Sequence, residues 1–328
     1  TSQLISFNST DQAAIEALKL PNIIIKDVHS RIGVRNIGEL LGNRFTILVR
    51  TDKPVDAKAL ETALGPIKSQ GFWNFYSLQR FGNRLLTHRI GQMVLTGRHE
   101  DALRLFLCGS SPHETRTFQH LRTQAAEQWG NWAAMTKVYN EYPFFMEKEL
   151  RATAALEQTG GNISAGLAAI SDQIKFAVAA FGSYHFNALL SKKIASGDAP
   201  AELPLLNPET ISLFASELGA DQLAGISFSQ PGLPFLGENR TKTAPTRSKI
   251  VVHSATVIPE GVIFHFDLPK AAYATTFMAE LFDLYQGRPV PDWVNQAEVD
   301  TRAPLGYPPV TETTSQFMAG EVPGLAEE

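Results

Sequence analysis

A long block of helical pattern divides the strand-like segments of this chain into two groups. Apolar residues recur at helical spacing from about residue 83 to about residue 220, and the longest candidate helix covers residues 172–197. β-Branched runs bounded by turn signals lie on both sides of this block. They cover residues 22–27 and 44–50 before it, and residues 249–257 and 261–267 after it. We therefore predict an α+β protein in which a helical insertion interrupts a sheet domain.

Shorter signals complete the predicted layout. Pro54 near the start of one helical segment and Gly71 directly after it are typical helix boundaries. Pro259-Glu260-Gly261 predicts a tight turn between the last two strands. The other predicted elements are helices over residues 11–18, 54–70 and 272–286 and a proline- and glycine-rich loop over residues 228–247.

Charge is unevenly distributed along the chain. The net charge of −4 taken alone argues against a nucleic-acid partner. Residues 1–99, however, carry thirteen Lys and Arg against seven Asp and Glu, whereas residues 297–328 carry six acidic residues and one basic residue. A basic lobe followed by an acidic tail is compatible with phosphate binding. Scattered, solvated charge is the alternative, and charge alone does not choose between them.

Several classes of site have no signature in the sequence. There is no G-x-S-x-G elbow, no Walker A loop and no H-E-x-x-H, and the eight histidines lack metal-ligand spacing, so we expect no metal site. Cys108 is the only cysteine, which favours an intracellular, reducing compartment. No run reaches the roughly 18 apolar residues of a membrane span, so a membrane partner is not expected. Nothing near Thr1 resembles a signal peptide.

Residues 71–84 (GFWNFYSLQRFGNR) concentrate aromatic, amide and guanidinium side chains between two helix candidates. Such groups suit a site that stacks a nucleobase and reads its polar edge. An aromatic turn packed in the core is the alternative, and the chemistry of the side chains alone favours that alternative.

The same segment resembles the motif N-Y-F/Y-G-x-Q-R-F-G of the TruD family of pseudouridine synthases, matched here by residues 74–82. Two further blocks agree in the same order. Residues 38–50 resemble the family's L-G-x-L-x-G-N-x-F-x-I-x-L-R, and residues 266–281 resemble its F-x-L-P-x-x-x-Y-A-T-x-x-x-R-E-L. A weaker likeness links residues 183–187 to an S-x-x-x-x-F/W-N pattern. The resemblance spans about residues 1–290, and Tyr76 is typical of the eukaryotic members.

The resemblance implies both a fold and an activity. It implies a pseudouridine-synthase domain with a mixed or antiparallel sheet over residues 1–99 and 246–295, a helical TRUD-type insertion over 100–245 and an acidic, extended tail over 296–328. It also implies the isomerisation of uridine to pseudouridine in RNA, without cofactor or metal, by an aspartate that acts on the ribose–base unit of a flipped-out uridine. The expected RNA is tRNA, with rRNA and mRNA as the alternatives.

Site residues follow from the resemblance position by position. Asn74 would orient the aspartate or the uridine, and Tyr76 would line the base or stack on it. The loop residues among the other candidates would also hold the loop in place, and Phe81 would shape its turn. Tyr273 is expected to pack rather than to catalyse. The candidate RNA-binding residues are Arg44, Arg50, Phe75, Gln79, Arg80 and Phe81.

The catalytic aspartate of the family has no match in this sequence. Thr1-Ser2-Gln3 resembles the end of the family's G-x-K-D-x-x-x-x-T-x-Q loop, which puts the aspartate five residues before Thr1. Asp11 and Asp27 are poor substitutes, because neither has this sequence context. If strands of the sheet domain also precede Thr1, an edge strand is left for that segment or a partner protein to cover.

Smaller departures point towards a degenerate relative. Ser77 replaces a glycine, which removes a residue that reaches positive φ at little cost. Asn36 stands where the family has Lys or Arg, and Ala279 replaces an arginine. Two interpretations therefore stay open. The first is an active synthase with its aspartate upstream of Thr1. The second is an inactive RNA-binding protein with a structural or assembly role in a ribonucleoprotein.

Overall fold

The structure, a computed structural model, describes residues 12–18, 25, 28–29, 33, 39–237, 243–285, 290–309 and 312. Contacts divide the chain into two compact units. The first comprises residues 1–62, 250–271 and 293–328, and the second comprises residues 63–249 and 272–292. Outside the described residues lie most of the strand predicted at 22–27, most of the predicted acidic tail, and the positions Thr1-Ser2-Gln3, Asp11, Asp27 and Asn36.

The first unit is built on a three-stranded antiparallel sheet, in which β7 (Gly261–Pro269) pairs on one side with β1 (Gly42–Arg50) and on the other with β6 (Val251–Ile258). On one face the ring of Phe45 stacks on that of Phe266, with centroids 5.4 Å apart. The hairpin between the last two strands turns where predicted, and Gly261 has φ +141 with no room for a side chain beside the carbonyl oxygen of Val49. The elements of this unit are α1 (Gln12–Glu16), β1 (Gly42–Arg50), β6 (Val251–Ile258) and β7 (Gly261–Pro269).

The second unit is mostly helical and contains a large apolar core. Helix α2 (Ala57–Gln70) begins in the first unit and ends in the second. The helices that follow are α3 (Thr87–Leu95), α4 (His99–Cys108), α5 (Arg116–Glu127), α6 (Trp132–Tyr139), α7 (Glu147–Gln158), α8 (Ile163–Ala169), α9 (Ser171–Ser196), α10 (Ile211–Leu218) and α11 (Ala274–Ala279). Two short antiparallel pairs join β2 (Phe72–Trp73) to β5 (Arg247–Ser248), and β3 (Glu202–Pro204) to β4 (Thr243–Pro245).

Helix α9 is the longest helix described and lies within this core. It was predicted at 172–197 and is found at 171–196, where Gly197 ends it with φ +74. Helix α3 packs closely against it at Gly91, since this residue has no side chain. A Cβ there would lie 2.1 Å from the carbonyl oxygen of Ala177. This spacing brings the two backbones together and leaves no room for a larger residue at position 91.

Two arginines, the half-buried Arg84 and the buried Arg122, cap the C-terminal end of α4. The last carbonyl groups of a helix have no partner within it. Arg84 donates from Nη2 to the carbonyl oxygen of Phe106 and from Nη1 to that of Gly109, at 2.9 and 2.7 Å. Arg122 donates from Nη1 to the carbonyl oxygen of Leu107 at 2.8 Å. Both arginines therefore have hydrogen-bond partners within the helical unit itself.

Three predicted elements need correction. The helix predicted from 54 begins at Ala57, because Asp56 caps it by accepting hydrogen bonds from the N–H groups of Lys58 and Ala59. The helix predicted over 272–286 is found at Ala274–Ala279, and Phe282, Asp283 and Tyr285, a few residues beyond its end, have low helix propensity. The loop predicted over 228–247 contains a short 3-10 helix, β4 and β5, which form through pairing with distant segments.

The compact units also divide the chain differently from the predicted domains. Residues 63–99 and 272–292 pack with the helical unit rather than with the sheet. The predicted family domains stay a prediction. Within the described residues, no single helix has the length and apolar character needed to cross a membrane; α8 and α9 meet the criterion only as a pair, and they meet at an angle of 88°.

Candidate functional site

Residues 74–82 form a loop that leaves β2 and includes a 3-10 turn at Leu78–Phe81. Asn74 is fixed at its start by the segment before β5. Its backbone N–H donates to the carbonyl oxygen of Thr246 at 2.9 Å, and its Nδ2 donates to that of Pro245 at 3.0 Å. The backbone of Asn74 is thus held by Thr246 and its carboxamide by the adjacent Pro245.

Tyr76 is held by a side chain from α9. The Oδ1 of Asn187 accepts a hydrogen bond from the N–H of Tyr76 at 2.9 Å, and the Nδ2 of Asn187 donates to the carbonyl oxygen of Tyr76, also at 2.9 Å. One carboxamide therefore satisfies both polar groups of one residue in the loop, as a paired strand would.

The ring of Tyr76 is surrounded by other rings. Its centroid lies 5.4 Å from that of Phe186 and 6.1 Å from that of Tyr273, with edge-to-face geometry in both cases. Burial raises the pKa of the Tyr76 phenol, and the nearby Arg80 guanidinium opposes that rise. The phenol is consequently neutral near pH 7, so Tyr76 offers an apolar wall with one polar tip.

Arg80 points its side chain back towards α9. Its Nε donates to the Oγ of Ser183 at 3.0 Å. Its guanidinium carbon lies 5.6 Å from the ring centroid of Tyr76 and 5.0 Å from that of Phe176. These distances suit cation–π contact with both rings. Arg80 is thereby held at a defined place beside Tyr76.

The other two candidates of the turn differ in their exposure. The side chain of Phe81 is buried and meets the ring of His88 edge-on at 5.4 Å. Gln79 is exposed. Phe81 therefore shapes the turn, as expected, whereas Gln79 is open to solvent.

The segment at 273–276 closes the loop from another side. The Oγ1 of Thr276 donates to the carbonyl oxygen of Phe75 at 2.9 Å, and the hydroxyls of Ser77 and Thr275 are hydrogen-bonded to each other. Ser77 has φ −71 and ψ 167. Since this backbone conformation is open to any residue, the serine at the family's glycine position imposes no strain. The sequence-based argument that Ser77 marks degeneration was therefore wrong.

Two glycines with positive φ flank the loop. Gly71 has φ +75, and a Cβ there would lie 2.3 Å from the carbonyl oxygen of Ser248. Gly82 also has φ +75, and its Cβ would lie 2.5 Å from the Oγ1 of Thr87. Both positions require glycine for conformation and for space. Arg247 adds to this frame by stacking its guanidinium 3.8 Å from the ring centroid of Trp73.

The candidates Arg44 and Arg50 belong to the sheet unit and are both engaged there. Arg44 donates from Nε and Nη2 to the two carboxylate oxygens of Asp267, at 2.8 and 3.0 Å. This bond from Arg44 is the largest cause that lowers the pKa of Asp267 to about 2, and His253 contributes as well. Arg50 donates from Nη2 to the carbonyl oxygen of Ala297 at 2.6 Å. Their contact with phosphate stays a prediction.

The structure thus brings Asn74, Phe75, Tyr76 and Arg80 together in one braced loop. Sequence reasoning missed most of the residues that brace it. The weak likeness over 183–187 and the Y-A-T block were the signals that could have found them, since both patterns contribute contacts. Among the described residues, no cluster of His, Cys, Asp or Glu could hold a metal ion. The bracing residues are Ser183, Asn187, Pro245, Thr246, Thr275 and Thr276. Glu280 holds the adjoining Trp73 of β2.

The loop lies within a part of the chain that matches a protein-family model. Residues 1–204 match the model described as tRNA pseudouridine synthase D (TruD). The matched region covers well over half of the 328 residues, including the loop at 74–82 and the bracing residues of α9.

Individual relatives agree with this match. The chain is 26% identical over 305 residues to a probable tRNA pseudouridine synthase D of Methanopyrus kandleri, a match that covers 86% of this chain and 74% of that protein. It is 30% identical over 202 residues to the protein of the same description in Thermococcus onnurineus, covering 60% of this chain but only 46% of that protein. The chain therefore spans less than half of the second relative.

A solved structure shares the fold. The crystal structure of the putative tRNA pseudouridine synthase D (TruD) of Methanosarcina mazei superposes with a TM-score of 0.58 at 20% sequence identity. The superposition covers 83% of this chain and 75% of the other. The predicted α+β class with its helical component is confirmed. These relatives are archaeal, and the expected likeness to eukaryotic members stays a prediction.

Proposed function

This chain belongs to the TruD family of tRNA pseudouridine synthases, and from that membership we propose that it isomerises uridine to pseudouridine in tRNA. The observation that supports the proposal most directly is the bracing of the loop at 74–82. The blocks at 74–82, 183–187 and 266–281, which resemble family motifs, meet there. Asn187 bonds the peptide groups of Tyr76, and Thr276 bonds the carbonyl oxygen of Phe75.

In this proposal the target uridine leaves the RNA stack and lies against the ring of Tyr76. The cost of unstacking is partly offset by contact with an aromatic wall that is already in place. Asn74 is held at the start of the loop and orients the base or the catalytic carboxylate. Arg80 lies beside the Tyr76 ring and supplies positive charge for the RNA.

The chemical step requires an aspartate, which we place upstream of Thr1 on the basis of the family motif. The bond between C1′ and N1 breaks, the uracil turns, and C5 forms the new bond to C1′. The proton on C5 leaves, and N1 gains a proton, so that substrate and product are isomers. The residues of the loop hold and turn the base, and the aspartate acts on the ribose–base unit.

The alternative is an inactive relative that binds RNA and serves as a structural or assembly factor of a ribonucleoprotein. The replacement of the family's arginine by Ala279 favours it. Ser77 no longer does, because its backbone conformation is unstrained. The neighbour of Ala279, Glu280, keeps a bracing role by accepting a hydrogen bond from the N–H of Trp73 at 3.2 Å.

The proposal is tested with the natural-length protein and unmodified tRNA transcripts, with pseudouridine detected by carbodiimide labelling and primer extension. We expect the wild-type protein to form pseudouridine at a defined position. We expect Asn74→Ala and Tyr76→Ala to slow it by about 100-fold, as is typical when a reacting group is misplaced. Tyr142→Ala, which changes an exposed tyrosine of the loop between α6 and α7, is the matched control.

The two functions give different results in this experiment. Tight tRNA binding without pseudouridine would select the structural role over the enzyme. Neither binding nor isomerisation with any RNA would reject both. Sequencing of the natural N-terminus is the companion measurement, and an upstream segment with no aspartate in a G-x-K-D context would also contradict the enzyme proposal.

A further inference from the structure

Asn187 makes a contact with the loop that is unusually complete for one side chain. Its carboxamide accepts from the N–H of Tyr76 and donates to the carbonyl oxygen of Tyr76, both at 2.9 Å. Here the pairing imitates one rung of an antiparallel ladder and fixes the peptide groups on both sides of the Tyr76 Cα.

The same face of α9 holds the loop at a second point. Ser183 lies four residues before Asn187, so the two side chains lie one turn apart on one face of the helix. The Oγ of Ser183 accepts from the Nε of Arg80 at 3.0 Å and donates to the carbonyl oxygen of Ala179 at 2.9 Å. Phe186, between them in sequence, supplies the ring that meets the edge of Tyr76.

Helix α9 is a firm support for these contacts. Its neighbour Leu189 is almost fully buried, and Phe186 and Leu190 are completely so. A residue on such a helix moves little, because the core around it is closely packed. The position of Asn187 is therefore set by the fold, and the position of the Tyr76 backbone is set by Asn187.

We propose that Asn187 is a positioning residue that fixes the ring of Tyr76 against the target uracil. This inference rests on the proposed function, in which Tyr76 contacts the base. The ring is attached to the Cα that Asn187 holds, so loss of the clamp lets the ring shift. A shift of about 1 Å from the productive geometry lowers a rate by about 100-fold. Binding of tRNA depends mainly on phosphate contacts elsewhere and changes little.

Asn187→Ala and Asn187→Asp test the proposal in the natural-length protein. Alanine removes both bonds. Aspartate has nearly the same shape and still accepts from the N–H of Tyr76, but it places a carboxylate oxygen against the carbonyl oxygen. If hydrogen bonding rather than side-chain volume positions Tyr76, we expect both variants to lower the single-turnover rate by about 30- to 100-fold. The Kd for tRNA should stay within about threefold, because the phosphate contacts remain.

Asn162→Ala is the matched control. Asn162 also uses its carboxamide on a backbone N–H, that of Ala165 at 3.2 Å, but as the cap of α8. It should leave the rate and the Kd unchanged. An equal loss of rate in this control would show a general effect on the fold and overturn the proposal. Wild-type rates in folded Asn187→Ala, or full activity in Asn187→Asp, would overturn it as well.

Two further measurements do not depend on turnover. Hydrogen exchange of the Tyr76 amide should accelerate in Asn187→Ala and stay slow in Asn187→Asp, which keeps the acceptor. Photo-crosslinking of Tyr76 to a tRNA that carries 4-thiouridine at the target position should fall at least fivefold in both variants. An unchanged crosslink overturns the positioning role. A wild-type protein that crosslinks to the tRNA but forms no pseudouridine would contradict the proposed function. The positioning role of Asn187 would then still be tested by the yield of the Tyr76 crosslink.

Discussion

The Nε of Arg80 donates a 3.0 Å hydrogen bond to the Oγ of Ser183, and this bond sets where the guanidinium lies. The group is then flanked by the rings of Tyr76 and Phe176. Within the part of the chain that the structure describes, Nη1 and Nη2 of Arg80 make no hydrogen bond. The arginine is thus fixed by one nitrogen, and its two terminal nitrogens remain for a ligand, which suits recognition of an anionic oxygen.

Arg80→Ala is expected to weaken tRNA binding about equally for different sequences. If one phosphate contact is lost, the slope of log Kd against log salt concentration should fall in magnitude by about 1. Filter binding at several salt concentrations measures this slope. Arg98→Ala is the control, because Arg98 is exposed and paired with Asp101. An unchanged slope in Arg80→Ala would show that Arg80 braces the loop without touching phosphate.

Gly71→Ala should destabilise the protein more than Gly130→Ala. Both glycines have positive φ, +75 and +93, so alanine costs about 1–2 kcal/mol at either position through backbone strain. Only Gly71 also meets a backbone atom, the carbonyl oxygen of Ser248, whereas a Cβ at Gly130 would meet nothing within 4 Å. Thermal unfolding of both variants isolates the effect of that contact. Equal losses of Tm would mean that the β2–β5 pair moves aside freely.

The buried pair of Arg122 and Glu149 predicts a large, non-additive effect on stability. Nη2 and Oε1 are 2.7 Å apart, and each side chain is less than a tenth exposed. Removal of Glu149 leaves the buried Arg122 with only Glu114, at 3.5 Å, as an acidic partner, so Glu149→Leu should cost up to about 3–5 kcal/mol. Adding Arg122→Met should cost less than the sum of the single changes. Asp101→Ala, which breaks an exposed pair, should cost less than about 1 kcal/mol. Denaturant unfolding measures all four variants.

His185 predicts a loss of stability in mild acid. Burial, followed in size by the nearby His88, lowers the pKa of His185 to about 4 in the folded protein. The unfolded chain, with a pKa near about 6.5, then binds more protons between these two values. Stability is therefore complete above about pH 6.5 and falls by roughly 3 kcal/mol towards pH 4.

The variant His185→Phe should abolish most of this dependence. The phenylalanine ring can keep the edge-to-face contact with Phe181, whose centroid is 4.5 Å from that of His185. Urea unfolding at a series of pH values between 7.5 and 4 measures the slope, with the exposed His120→Gln as the control substitution. A wild-type slope that persists in His185→Phe would assign the acid sensitivity to other groups.

The sequence predicted correctly those elements whose ends are marked by neighbouring residues. The β6–β7 hairpin turns at Pro259-Glu260 because proline and glycine fit a tight turn, and α9 ends at Gly197 because glycine reaches positive φ. The strands β4 and β5 were missed for the opposite reason. Each has only two or three residues, and each forms by pairing with a partner more than 35 residues away in sequence.

The site was predicted in part. Asn74, Tyr76 and Arg80 follow from the family motif, but a motif does not show what holds it. Asn187 and Thr276 lie 111 and 201 residues from their partners in the loop, and only the folded chain brings them together. Ser77 shows the converse limit, because a missing glycine suggested strain that the backbone conformation at this position does not require.

The contacts of Thr276 with the loop and of Glu280 with the adjoining β2 have a consequence for synthesis of the protein. Both partners are added about 200 residues after the loop, since the separations are 201 and 207 residues. At about 5–20 residues per second, translation takes roughly 10–40 s to cover this distance. The loop is therefore synthesised well before its bracing partners, and this part of the candidate site stays unfinished in the nascent chain until they have been added.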